Sequence, residues 1–476
     1  MSDKLTRRDF LKLGVVAAAA KAAEACGLLP GSGSGLTGDG LVGTAEANVA
    51  ATAVKDVVQG TPAPPEGMEV AQDNAVKAAL RIAINVEFGG ENFSVTGSGF
   101  VVGINRETRM LQVALPAHDP SQVRRLDDNK LLLMQLVGQG GEAWVDFGDR
   151  PSVVEVLHDN DIAVMAIFLT PDEINALGVE AIGVGKPSEQ LESGKLLAVG
   201  REGVYEAENP GNFHVQMLSS VLDESGEPLS GENDFGRWVG FGGDTSPGGS
   251  GSVVVDASGK AVGMITVLTV DSAGKPIVGV TKLDGLTDMM GRVKQEFDLK
   301  IEVLEKINRS MAIVRFPETL LDGSLGEGDL ISGVIIGVGE GRFVMLTAGE
   351  PVSKSQVALQ RQGSNEFVVM ENTGVVEEIW GSGATHLVGI NWEAGKYQGL
   401  EFGEGESVMR VFMDETGKLV RQFDLSRAIP ESVGQGVYFD VNIEGKLVGI
   451  GNFDSGELSV LDLEEVKGKV EGRVLR

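Results

Sequence analysis

From about Asn74 onward, apolar positions come in short runs, many of them β-branched, with Gly, Pro, Asn, Asp or Ser between them. Ala75–Leu80 reads as a short helix feeding an alternating run, Arg81–Phe88. Strand-like runs then recur at Gly99–Ile104, Met110–Leu115, Leu131–Val137, Ile162–Phe168, Leu196–Val199, His214–Leu218, Ser252–Asp256 and Ala261–Val267. This spacing predicts an all-β sandwich or barrel domain. The period changes at Leu286, Met289, Met290, Val293 and Phe297, which predicts a helix closing the first domain near Leu299.

The second half repeats the first. Ile331-Ser332-Gly333-Val334-Ile335-Ile336-Gly337 follows Gly97-Ser98-Gly99-Phe100-Val101-Val102-Gly103, and Phe343–Pro351 follows Gln112–Pro120. Gly445-Lys446-Leu447-Val448-Gly449-Ile450 follows Gly259-Lys260-Ala261-Val262-Gly263-Met264, and Leu461-Asp462 matches Leu283-Asp284 ahead of an expected helix. Four anchors in one order predict a single fold used twice.

Composition narrows the picture. With 476 residues the chain has room for two or three domains, and 67 glycines suit many tight turns better than helical bundles. The net charge of −29 is spread along the chain, which argues against a nucleic-acid partner because phosphate binding needs a basic face.

The N-terminus carries Arg7-Arg8-Asp9-Phe10-Leu11-Lys12 and then a mildly apolar, alanine-rich stretch from Leu13 to Ala25. Residues 1–25 resemble a twin-arginine export signal, which implies a periplasmic, envelope or extracellular destination. Lys21 interrupts the apolar stretch, so a permanent span is not expected. Cys26 is the only cysteine, which excludes an intramolecular disulfide. It follows Ala23-Glu24-Ala25, a small-x-small cleavage pattern that also faintly resembles a lipoprotein site; lipidation of Cys26 is the alternative to simple export, and cleavage at Ala45-Glu46-Ala47 would remove it. Residues 26–72, rich in Gly, Ala, Ser and Pro, read as a flexible linker. The boundaries expected are thus 73–300 for the first domain and 301–476 for the second.

The candidate chemistry centres on Ser250, in Thr245-Ser246-Pro247-Gly248-Gly249-Ser250-Gly251-Ser252. A glycine-rich bend ahead of a strand lets a carbonyl approach and can aim backbone amides at a developing oxyanion, although the same composition suits a plain turn. His118, one of four histidines, follows a strand-like run, and Asp161 opens another, as an acid orienting an imidazole would. His158 is the competing base, and His214 sits in an alternating run that reads as structural. No cluster of Cys and His has metal-ligand spacing, so neither a metal nor another cofactor is expected.

The order His, Asp, Ser is that of one known triad arrangement. Gly97-Ser98-Gly99-Phe100, Pro116-Ala117-His118, Asp159-Asn160-Asp161-Ile162-Ala163-Val164 and Pro247-Gly248-Gly249-Ser250-Gly251 together resemble the trypsin-like serine peptidases, particularly the bacterial HtrA-type members. The resemblance covers roughly residues 75–285. It implies two tandem chymotrypsin-like double β-barrels, the second degenerate, and an endopeptidase acting on protein or peptide substrates. Ser250 would be the nucleophile, His118 the base and Asp161 its orienter, with the N–H groups of Gly248 and Ser250 as oxyanion hole. Asp244 would floor a specificity pocket favouring Arg or Lys, the alternative being an exposed turn.

Two residues depart from the family pattern: Gly249 replaces the usual Asn or Asp, and Ser252 replaces the second glycine. In the second copy the triad positions align with Gly349, Thr385 and Gly436, none of which can do this chemistry. An inactive duplicate is expected there. The competing reading of the whole chain is a non-catalytic pseudo-peptidase that binds extended polypeptides through strand edges.

Overall fold

The computed structural model describes residues 64–474 except 89–90, 119–129, 149, 158, 187–190, 192–194, 202–212, 224, 234–235, 244–248, 271–273, 316–329, 338–341, 349–356, 362–366, 371–373, 383–384, 394–398, 415–418, 424, 426–428, 430–432, 434–435 and 455–456. The signal-like segment, Cys26, His158, Asp244, Gly248 and Gly349 lie outside the described residues. The chain divides into two units, one formed by Met1–Phe147 and Ser152–Gln295, the other by Gly148–Pro151 and Glu296–Arg476.

The first unit opens with helix α1 (Glu69–Ala78). It starts six residues before the helix expected from the apolar pattern and lies partly in the stretch read as linker. Its buried face is built from Ala71, Ala75, Val76 and Ala78, and such small side chains give a weak periodic signal. Ala79 and Leu80 belong instead to strand β1 (Ala79–Phe88).

Strands β2 (Glu91–Asn105), β3 (Met110–Pro116), β4 (Lys130–Val137), β5 (Glu142–Asp146), β6 (Ser152–Leu157) and β7 (Ile162–Phe168) join β1 in an antiparallel sheet of order β5-β4-β1-β2-β3-β7-β6. One side of this sheet buries Ile82, Val101, Leu111, Val113, Met134 and Met165. Helix α2 (Pro171–Leu177) follows, started by a capping box between Thr170 and Glu173 and stopped by Gly178 in the left-handed conformation.

The second sheet contains β8 (Leu196–Arg201), β9 (Phe213–Ser220), β10 (Ser230–Asn233), β11 (Gly236–Gly242), β12 (Val253–Asp256), β13 (Ala261–Val270) and β14 (Pro276–Lys282). Its order is β10-β11-β14-β13-β12-β8-β9, and pairing of β11 with β9 closes six of the strands into a barrel. Leu196, Ala198, Val254, Val262, Val278 and Val280 fill it.

Helix α3 (Leu286–Arg309) has twenty-four residues and runs ten past the expected end near Leu299. Its apolar stripe continues through Ile301, Val303 and Ile307, all buried. The last two belong to the core of the second unit.

In the second unit, β15 (Met311–Arg315), β16 (Leu330–Gly337), β17 (Arg342–Ala348), β18 (Val357–Arg361), β19 (Phe367–Met370), β20 (Gly374–Ser382) and β21 (Thr385–Glu393) form a sheet of order β19-β18-β15-β16-β17-β21-β20. That is the order of the first unit's opening sheet, strand for strand. A second sheet, of order β23-β22-β24-β25-β26, comprises β22 (Ser407–Asp414), β23 (Leu419–Gln422), β24 (Gly436–Asn442), β25 (Leu447–Asp454) and β26 (Glu457–Val460). Helix α4 (Leu463–Val474) follows, as the sequence repeat predicts.

This five-strand sheet repeats the β14-β13-β12-β8-β9 part of the closed barrel. The agreement extends to single hydrogen bonds. Ala261 bridges Val184 in parallel, with bonds from Gly185 N to Ala261 O and from Ala261 N to Gly183 O; Leu447 bridges Phe402 likewise, with bonds from Gly403 N and to Glu401 O. The β12–β13 turn is held by Asp256 and the β24–β25 turn by Asn442, each accepting backbone bonds from the residues two and four further on.

Both units are therefore all-β and chymotrypsin-like in strand arrangement. Among the described residues, the second unit has no counterpart of the β10–β11 hairpin. Between β23 and β24 the chain has 13 residues (423–435) where the first unit has 32 (221–252) between β9 and β12, and Ile429 and Val433 pack on Phe412, Tyr438 and Phe453.

Candidate active site

Three ends of structure meet at the site. In the ladder between β3 and β7, Pro116 stands opposite Ile162, so residues just after β3 and just before β7 emerge at the same end of one sheet. His118 and Asp161 are those residues. Ser250 arrives from the other sheet, three residues ahead of β12.

The carboxylate of Asp161 accepts a hydrogen bond from the backbone N–H of His118 (3.0 Å) and lies 2.6 Å from His118 Nδ1. His118 Nε2 lies 3.0 Å from Ser250 Oγ. Asp161 is buried (2% exposed), His118 nearly so, and Ser250 partly open. With the Nδ1 proton donated to the carboxylate, Nε2 is left to accept the hydroxyl proton of Ser250. Such an arrangement can deprotonate the hydroxyl as it attacks a carbonyl and deliver the proton to a leaving group.

Asp161 takes up this position at a local cost. Its φ of +50° lies in the left-handed region, where a non-glycine residue is strained by about 1–3 kcal/mol. The three bonds it makes with the 117–118 segment hold it there, one of them from Ala117 N to Asp161 O (3.2 Å). Asp is among the residues that tolerate this conformation best.

The bend carrying Ser250 is tied to the first sheet through Ser98. Ser98 N donates to Ser250 O (2.8 Å), and Ser98 Oγ bonds both backbone groups of Arg201 at the end of β8. Ser98 is therefore a buried clasp between the two sheets, a role its place in Gly97-Ser98-Gly99-Phe100 does not reveal from sequence. Gly251 sits at φ +92°, and a Cβ there would run into Ser98 O, so this glycine answers a close backbone approach. Behind the clasp, Arg201 stacks on Phe213, 4.2 Å from the ring centre. Burial, and then the neighbouring Arg81, pushes its guanidinium down to about 10, which leaves it charged at neutral pH.

Ser252, which stands where the family pattern has a second glycine, is accommodated. Its hydroxyl donates to Gly249 O (2.6 Å) and faces Gly200, where any Cβ would collide with it. A glycine across the ladder supplies the space that the second glycine of the motif gives elsewhere. His214 lies in β9, partly buried, and His386 in β21.

The second unit brings no such set together among its described residues. The shared turn fixes Gly436 opposite the position of Ser250: Asp440 faces Gly449 as Val254 faces Gly263, with the same bulge after it. With Phe343 matched to Gln112, Thr347 faces Val388 as Pro116 faces Ile162. That register moves the counterpart of Asp161 from Thr385 to Leu387, two residues along, because a pairing register and not a sequence alignment sets it. The counterparts of Gly200 and Ser252 are Phe412 and Tyr438, both buried. Those of Ala198 and Val254 are Arg410 and Asp440, joined by a two-pronged ion pair of 2.7 and 2.8 Å. Where the first unit has small residues beside Ser250, the second has bulky or paired ones.

Two antiparallel sheets, the second closed into a six-stranded barrel, give the first unit a chymotrypsin-like fold, with Ser250, His118 and Asp161 together where the sheet ends meet. Among solved structures, the chain is similar to the active form of the Rv3671c protease from M. tuberculosis, at 16% identity and a TM-score of 0.33 over 50% of this chain and 91% of that one. The inactive form of that protease matches at 13% identity and a TM-score of 0.31, over 49% of this chain and 99% of that one. No family model and no curated protein matches the sequence.

Proposed function

We propose that the chain is an exported serine endopeptidase whose first unit cleaves protein or peptide substrates through an acyl-enzyme. The observation that carries this reading is the unbroken relay Ser250 Oγ, His118 Nε2, His118 Nδ1, Asp161. Ser250 Oγ attacks the scissile carbonyl carbon while His118 Nε2 takes its proton; collapse of the tetrahedral adduct expels the amine, which receives that proton. Water then repeats the cycle on the ester, releasing the acid and restoring the hydroxyl. Asp161 stays ionised and stabilises the imidazolium. The oxyanion is assigned to the N–H groups of Gly248 and Ser250, and primary specificity for Arg or Lys to Asp244.

An extended polypeptide suits the cleft. Strand β12 pairs with β13 only as far as Met264, whereas β13 continues to Val270 along β14. Among the described residues, the stretch after Ile265 therefore pairs on one side only and offers a strand edge starting beside Ser250, with Leu268 and Val270 exposed. A substrate strand added there would pass the nucleophile with its backbone held by ladder bonds.

The second unit is proposed to be an inactive scaffold, docking surface or regulator. Export by the twin-arginine route rests on Arg7-Arg8 and the stretch that follows. Hydrolysis of casein and of fluorogenic peptides by wild type against Ser250→Ala tests the enzyme reading; equal rates would refute it. Equal cleavage after Leu and Arg would sink the role given to Asp244. Mass spectrometry of the mature N-terminus tests export, and a diacylglyceryl Cys26 would replace simple release with anchoring.

A further inference from the structure

The two departures from the family motif meet in space. Gly249, directly before Ser250, has no side chain to restrain it, and glycine is the residue with the most backbone freedom. Its carbonyl nevertheless accepts two hydrogen bonds from one residue: Ser252 N at 3.0 Å and Ser252 Oγ at 2.6 Å. Ser252 is 2% exposed, and a Cβ on Gly200 opposite it would collide with its hydroxyl.

A trans peptide directs its N–H opposite to its C=O. The Gly249–Ser250 peptide therefore turns the N–H of Ser250 away from Ser252 for as long as the Gly249 carbonyl is held. That N–H is one of the two oxyanion donors assigned above, and a donor serves catalysis only when its direction is fixed before the charge develops. We infer that Ser252 is a positioning residue, whose buried hydroxyl locks the Gly249–Ser250 peptide so that the Ser250 amide is preset for the oxyanion. The backbone bond alone lets that peptide rock about its two ends; the side-chain bond adds a second, non-collinear anchor. Gly200 is part of the same device because it makes the space. The inference rests on the reading of Ser250 as nucleophile.

The test compares wild type, Ser252→Ala, Ser252→Gly and Gly200→Ala in the full chain, each with its thermal unfolding recorded. The third variant keeps the hydroxyl but displaces it. Phosphonylation of Ser250 by a fluorophosphonate, which forms an Oγ–P bond and expels fluoride, is expected to slow about tenfold in each variant that folds. In the same variants kcat for a peptide falls by a similar factor at nearly constant KM. A peptide aldehyde, which generates an oxyanion on Ser250, binds about tenfold more weakly, while the product peptide binds as before. Wild-type labelling rates in both Ser252 variants would overturn the inference and leave the peptidase reading standing. Equal weakening of aldehyde and product peptide would also overturn it, since a distorted cleft and not a misdirected donor would be responsible. Absence of any wild-type adduct would remove the peptidase reading itself, and this inference with it.

Discussion

The two units are built on one strand order, yet they differ at the place where chemistry is possible. Both opening sheets run in the same sequence of seven strands, and the turns after β12 and β24 share hydrogen bonds. Around the nucleophile position the first unit is small and polar: Gly200, Gly249, Gly251 and Ser252 lie about Ser250. The second is bulky, with Phe412, Tyr438 and Phe453 packed together and Phe412 meeting Phe453 edge to face. Arg410 stacks on Tyr438 while pairing with Asp440. The comparison teaches that the scaffold does not depend on the site. One strand order accommodates glycines and a strained Asp161 in the first unit and aromatic packing with an ion pair at the matching places in the second.

The largest effects belong to the first unit. Ser250→Ala and His118→Ala are each expected to lower kcat by about a million-fold. In the Ser250→Ala background, Gly436→Ser restores nothing, because the residue aligned with His118 is Gly349, which carries no base; recovery of peptide hydrolysis would break the contrast between the units. Asp161→Asn, which tolerates the same backbone conformation, is expected to cost about 10^4-fold in kcat with little change in thermal unfolding, since it presents the wrong hydrogen-bonding partner to His118.

Smaller effects belong to the second unit and should appear in stability. Asp440→Ala leaves Arg410 without its carboxylate in a mostly buried place and is expected to destabilise that unit by about 3 kcal/mol in a denaturant titration. Replacing the pair together, Arg410→Met with Asp440→Leu, is expected to be near neutral. The smallest effect is alkaline. Burial, and then the charge of Asp440, raises the hydroxyl of Tyr438 above its ordinary value. A raised acid binds its proton more tightly in the folded state, so its contribution is full below about pH 10 and is lost as pH rises beyond that. Tyr438→Phe should flatten that loss, and an unchanged pH profile of unfolding would refute the assignment.

Much of this could be read from residue patterns, and the failures have physical causes. Short apolar runs between turn residues mark β1, β2, β3, β4, β7, β8, β9, β12 and β13, most of which are buried along much of their length. Strands β5, β6, β10, β11 and β14 carry no such signal: Ser230–Asn233 and Gly236–Gly242 hold glycines and polar residues that read as turns, yet β10 pairs with β11, and β11 with β14 and β9. The capping box from Thr170 to Glu173 was legible and marks a helix that was not assigned. At the site, residue types and order pointed to His118, Asp161 and Ser250, since each chemistry demands its own side chain. The clasp of Ser98 and the fit of Ser252 against Gly200 were not legible, because they depend on which strands become neighbours.

The most direct test of the central claim is intact-mass and peptide-mapped labelling of the folded chain with a fluorophosphonate. One adduct per chain is expected, on the peptide carrying Ser250, absent from Ser250→Ala and from His118→Ala, and none on the second unit. A folded wild-type chain that takes up no label, or one whose label persists in Ser250→Ala, would contradict it.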